Sequence, residues 1–181
     1  MADELIDICD ENNNLLNIQK MKSEAHKDGL WHRAAHIWIY NSQGEVLLQL
    51  RASEKLLYPD MWDISAAGHV SVGEDPVISG LRELEEEIGL KVEKEALDFW
   101  MIRKTSSIFR EIKNNEFYYV YFLKFDGDIS QLKLQVEEVQ QIQFFAIDKI
   151  EDELKANPGK YTPHGDYWFE ALAEVRKRMV G

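Results

Sequence analysis

Glu83, Glu86 and Glu87 lie three and four residues apart in the run Arg82-Glu83-Leu84-Glu85-Glu86-Glu87, a spacing that sets three carboxylates on one face of an α-helix. An isolated run of glutamates is ordinarily a solvated face. Here, however, like charges repel along one stripe, and Arg82 is the sole cation between Pro76 and Ile88. Because Arg82 precedes the cluster, it can brace Glu86 across one turn but cannot neutralise three carboxylates. A divalent cation is the natural missing charge, and the chemistry it brings is neutralisation of anionic oxygens and activation of water.

The element that positions these carboxylates carries its own punctuation. Asp75 suits an N-cap, Pro76 the first helical position and Gly89 a left-handed stop, so the sequence predicts a helix over Pro76 to Ile88. Val77, Leu81, Leu84 and Ile88 form its apolar stripe, and the glutamates fall on another face.

Gly68, Glu74, Arg82, Glu83, Leu84, Glu86, Glu87, Gly89 and Leu90 stand at the fixed positions of a pattern that resembles the Nudix box, with every position filled. The resemblance implies hydrolysis of a diphosphate linked to another moiety, with Mg2+ or Mn2+ as cofactor. It implies Glu83, Glu86 and Glu87 as metal ligands, the Gly68 carbonyl as a further ligand, and Glu74 as a support for loop and helix. Glu87 and Glu116 are the two candidates for the general base. The box does not name the substrate, since sites are grafted onto folds.

A wider resemblance, from His32 through Leu47-Leu48-Gln49-Leu50-Arg51, Tyr58-Pro59-Asp60-Met61-Trp62-Asp63, Gly68-His69 and Asn115-Glu116-Phe117, is to the isopentenyl-diphosphate isomerase-like branch of that family. It implies a second metal position built from His32, His69 and Glu116, with His26 a fourth whose spacing is off by one. Two departures weigh against isomerase chemistry. Ala67 stands where the branch has its catalytic cysteine, and Asn114 where it has a glutamate. The sequence therefore favours a hydrolase on an isomerase-like frame over either an isomerase or a non-catalytic ligand-binding domain. Arg51, Lys55 and Trp62 precede the box in a loop region where they are expected to contact phosphates or stack on a base. His36, four residues after His32, is read as structural.

The 181 residues suit one domain, and a hydrophobic content of 45% suffices for a packed core. A net charge of −12 disfavours nucleic-acid polymers and anionic membranes as partners, leaving a small-molecule organic diphosphate; the oligomeric state stays open. One cysteine, Cys9, excludes an internal disulfide, and no secretory pattern or membrane-length apolar run is read, so the expected compartment is the cytoplasm. Residues 4–20 read as a hairpin, 20–29 as a polar connection, and 32–40 with 45–51 as a second hairpin. After the box, 99–102, 117–125 and 141–146 read as strands, 104–115 as a connection, and 167–179 as a packing helix. The expected architecture is α/β, a Nudix-type α/β/α sandwich around a mixed β-sheet.

Overall fold

The computed structural model describes residues 3–180. The N-terminal hairpin is strands β1 (Leu5–Cys9) and β2 (Leu15–Met21), its turn held by Asp10, whose carboxylate accepts from the Asn12 and Asn14 amides at 2.8 and 2.9 Å. The segment expected to be a polar connection is instead helix α1 (Lys22–Asp28). Its helical character is easily overlooked, because it is short and exposes most of its residues while burying Ala25 and His26; Gly29, at φ 68°, terminates it.

Strand β3 (Trp31–Tyr40) is the axis of the sheet. It is followed by β4 (Glu45–Arg51), β5 (Trp62–Asp63), β6 (Ala66–His69) and helix α2 (Pro76–Ile88). Then come β7 (Asp98–Phe109), β8 (Ile112–Lys124), β9 (Val139–Ala146), helix α3 (Ile147–Ala156) and helix α4 (Asp166–Val180). Residues 104–115 are not a connection: β7 and β8 form one long hairpin that turns only at Arg110 (φ 57°), and Glu116 lies inside β8 rather than at its start. The polar composition of that stretch hid the pairing. Helix α3 has no counterpart in the sequence reading.

β3 pairs in parallel with β8 over its whole length, while β1, β6 and β4 share its other side in antiparallel pairing, so the sheet is mixed. Alternation along β3 assigns its two faces. Trp38 and Tyr40 join Tyr167, Trp168, Leu172 and Val175 of α4, whereas Ala35, Ile37 and Ile39 join Val77, Leu84 and Ile88 of α2. Helices thus cover both faces of the sheet, as an α/β/α sandwich requires. Among the described residues no helix is long and apolar enough to cross a membrane.

Helix α2 has the expected bounds. Asp75 accepts from the Val77 amide at 3.1 Å, and Gly89 closes the helix at φ 72°, its N–H on the Glu85 carbonyl and the Leu90 N–H on the Leu84 carbonyl, both at 3.0 Å. Gly44 has a comparable φ of 76° but open space around it, whereas a Cβ on Gly89 would lie 2.8 Å from the backbone nitrogen of Lys133. Gly44→Ala should therefore cost about 1 kcal/mol, the left-handed penalty alone, and Gly89→Ala at least about twice that. Urea unfolding of the two variants measures the difference; equal costs would show that the stop makes no steric demand of its own.

Candidate active site

Helix α2 turns its charged face into a cleft of about 430 Å³. Glu83 and Glu87 are buried there, while Glu86 stands half exposed at the mouth. Glu87 Oε2 accepts from the Ala67 amide and the Gln49 side chain, both at 3.3 Å. Burial, with Glu83 adding to it, pushes the Glu87 carboxyl up to about 8, although Lys55 and Arg51 pull the other way. Burial also raises Glu83, which Arg82 offsets only in part. Two buried carboxylates that resist ionisation, with Glu86 at the mouth, are a donor set whose chemistry fits a hard divalent cation. Glu83 can reach inward because strand β6 carries Gly68 beneath it: a Cβ on Gly68 would fall 2.0 Å from Glu83 Cδ.

Arg82 organises the rest of this face. Its guanidinium donates to Glu83 at 2.6 Å, Glu86 at 3.2 Å and the His69 carbonyl at 3.1 Å, and its Nε lies 3.5 Å from Glu74. Glu74 in turn accepts from Ser79 Oγ at 2.6 Å, which ties the loop before the helix to its first turn. The flanking Lys91 pairs with Glu85 and leaves the three box carboxylates to Arg82, Lys55 and Arg51.

A second cluster lies across the cleft. The parallel register sets His32 opposite Glu116, and β6 sets His69 opposite Ala34, so three adjacent strands deliver three polar side chains to one point. Helix α1 adds His26, and one ligand atom from each of His26, His32, His69 and Glu116 lies within 4.8 Å of the others. Glu116 Oε1 is 3.4 Å from His32 Nε2 and 3.3 Å from His69 Nε2. The Nε2 atoms of His26 and His32 are buried without a hydrogen bond, and His32 Nδ1 lies 2.9 Å from the Leu30 carbonyl, which turns its Nε2 edge toward the cluster. Burial, reinforced by His69 and His32, holds His26 down at about 4 and therefore neutral. Burial would raise Glu116, but His32 and His69 hold it well below the usual carboxylate range. For His69 burial is outweighed by hydrogen bonds to Glu116 and Glu4, which lift it to about 9. Three imidazoles and a carboxylate are a donor set for a divalent transition metal. Asn114 donates to Glu116, and its Oδ1 is buried without a partner.

The remaining expected residues are distributed differently. Arg51 lines the cleft but is engaged in building it: it pairs with Asp63 at 2.8 Å and donates twice to the Leu57 carbonyl, at 3.1 and 3.0 Å. Lys55 faces the cleft paired with Glu138. Trp62 is not in the loop but in β5, where it packs edge-on against Phe145, 4.9 Å between centroids, beside the core and not on the cleft wall. His36 stacks on Tyr118 at 3.7 Å, and burial pushes it down to about 3, a core histidine. The sequence reading missed Asp63, which accepts from Thr162 at 2.8 Å and His164 at 2.9 Å, and it missed Glu4, which meets His69. No local spacing marks either, since their partners lie far along the chain.

Residues 30–165 match the NUDIX domain family. The chain belongs to the Nudix hydrolase family. It is 34% identical to Nudix hydrolase 3 of Arabidopsis thaliana over 92% of its own length, and spans 23% of that larger protein. It is also 31% identical to an isopentenyl-diphosphate Delta-isomerase of Serratia proteamaculans, over 92% of this chain and 88% of the relative. The crystal structure of DR0079 from Deinococcus radiodurans shares the fold, with a TM-score of 0.68 at 21% identity, covering 96% of this chain and 98% of that one. The Nudix match begins at residue 30, so Glu4 and His26 reach the cleft from outside it.

The carboxyl of Glu87 makes the metal-free Nudix fold sensitive to pH. The folded protein binds this proton more tightly than the unfolded chain, so the contribution is complete below about 4.5 and is lost as pH rises through about 8. In excess chelator, Glu87→Gln should melt above wild type at about pH 8, with the difference shrinking toward about pH 4.5. Thermal melts at the two pH values test this, and a constant offset would assign the effect to something other than the carboxyl.

Proposed function

We propose that this Nudix protein is a metal-dependent pyrophosphohydrolase that cleaves the diphosphate linkage of a nucleoside-diphosphate-type or other organic diphosphate. The observation that carries the reading is the pair of buried, reluctantly ionised carboxylates, Glu83 and Glu87, on an intact box helix beside Arg82. A diphosphate is kinetically inert because its anionic oxygens repel a nucleophile, so an enzyme must neutralise that charge and place an activated water. Glu83, Glu86 and Glu87, with the Gly68 carbonyl, would hold Mg2+ or Mn2+, which when bound supplies Lewis acidity toward phosphate oxygens and lowers the pKa of water.

The chain's own groups divide the remaining work. Arg82 keeps Glu83 and Glu86 aligned, and Glu74 fixes the loop that precedes the helix. Lys55 and Arg51 border the same cleft and offer positive charge to the phosphates, although both are already paired. Glu87 and Glu116 are the two base candidates: both line the cleft, Glu87 on the box helix and Glu116 within 3.4 Å of His32 and His69. His26, His32, His69 and Glu116 would hold a second ion, and their nitrogen-rich set favours Mn2+ or Zn2+ over Mg2+.

Similarity to an isomerase does not carry its chemistry across. Ala67 lines the cleft with no proton to give, and its amide already donates to Glu87. The protein should therefore incorporate no deuterium into isopentenyl or dimethylallyl diphosphate in heavy water, and allylic exchange detected by NMR would restore the isomerase reading.

A hydrolysis screen over nucleoside diphosphates, ADP-ribose, dinucleotides, thiamine diphosphate and prenyl diphosphates, read as phosphate after phosphatase treatment of the phosphomonoesters released, should find turnover that requires Mg2+ or Mn2+. Glu86→Gln and Glu87→Gln should fold and lose about a hundredfold or more in kcat. Full turnover in excess chelator would overturn the proposal.

A further inference from the structure

The N-terminal hairpin lies outside the matched family region, yet its backbone is fastened to the loop between β6 and α2. Ile6 bridges Ser71, the Val72 amide donates to the Leu5 carbonyl at 3.4 Å, and the Gly73 amide donates to the Asp7 carboxylate at 2.8 Å. The Lys22 amide donates to the Glu4 carbonyl at 2.8 Å, which fixes the residue just ahead of β1 from its other side. Held in this way, Glu4 lines the cleft, with Oε1 3.0 Å from His69 Nδ1 and 2.9 Å from Lys22 Nζ.

The opposite edge of the same imidazole faces the metal cluster, with His69 Nε2 3.3 Å from Glu116. His32 is oriented by the same logic through a weaker partner, its Nδ1–H on the Leu30 carbonyl and its Nε2 inward. A hairpin needed only to cover a sheet edge would be served by Ile6 and Ile8, both buried, and desolvating a carboxylate beside a histidine adds nothing to that task.

We propose that Glu4 is a positioning residue for the second metal: its carboxylate accepts the Nδ1 proton of His69, fixes the ring, and makes Nε2 a more basic ligand. A carboxylate behind a ligand imidazole both orients it and strengthens its donation, whereas a carbonyl mainly orients it. The proposal rests on His26, His32, His69 and Glu116 forming a metal site. It assigns the hairpin a chemical task as well as a structural one, since the hairpin with α1 then supplies one ligand, His26, and the support of another.

The test uses the full chain with Co2+ and Zn2+ as probes and the variants Glu4→Ala and Glu4→Gln. Co2+ titration followed by visible absorption should give an affinity reduced about tenfold to a hundredfold in Glu4→Ala, with Glu4→Gln between it and wild type because the amide still accepts but carries no charge. In the Zn2+-loaded protein, the His69 Nδ1–H proton should be downfield and slow to exchange in wild type and lose both properties in Glu4→Ala. Adding Glu4→Ala to His69→Ala should weaken binding no further than His69→Ala alone. If Glu4→Ala fails to fold, Glu4→Gln decides through the same two readouts. A Co2+ spectrum that His26→Ala and His32→Ala both leave unchanged removes the metal site and the proposal with it. A spectrum lost in either histidine variant but retained at full affinity in the folded Glu4 variants overturns the proposal alone.

Discussion

The constraint on which this structure depends is the burial of negative charge where helix α2 crosses strand β6. Glu83 and Glu87 are withdrawn from water beside each other, and burial raises both. Such an arrangement opposes folding unless something recovers the loss, because an unpaired buried charge costs several kcal/mol. The recovery is partial within the chain: Arg82 reaches Glu83 and Glu86, and Arg51 at the end of β4 and Lys55 in the loop after it act on Glu87. The imbalance that remains is a pair of neighbouring carboxyls held above their ordinary range.

Much of the surrounding architecture serves to make that burial feasible. Gly68 must lack a side chain because the carboxyl end of Glu83 occupies the space. The apolar stripe of α2, with Val77, Leu84 and Ile88 against Ala35, Ile37 and Ile39, supplies the packing that holds a repulsive face in place. On the far side of the sheet, Trp38, Trp168 and Tyr167 fill the second core, and the Tyr167 hydroxyl accepts from Trp38 Nε1 at 2.9 Å, so that even the buried polar atoms there are engaged.

The two clusters in the cleft have opposite electrostatic characters. Burial and the neighbouring Glu83 raise Glu87, whereas His32 and His69 hold Glu116 well below the usual carboxylate range. The difference follows from the elements that carry them. One helix supplies the box through local spacing, while the histidine cluster is assembled by strand register, His32 opposite Glu116 and His69 opposite Ala34, with α1 laid alongside.

That contrast also separates what the sequence by itself determined from what tertiary structure decided. The bounds of α2, its cap at Asp75 and stop at Gly89, the Nudix box and the strand over 32–40 were legible, because each depends on interactions within a few residues. Resemblance further named His32, His69 and Glu116 together, although no spacing in the chain links them. The helical delivery of His26, the pairing of residues 104–115, the packing of Trp62 beside the core and the reach of Glu4 to His69 were not legible. Each of these rests on contacts between segments distant in the chain, and such contacts exist only once the parallel β3–β8 pairing and the docking of the hairpin have brought the backbone together.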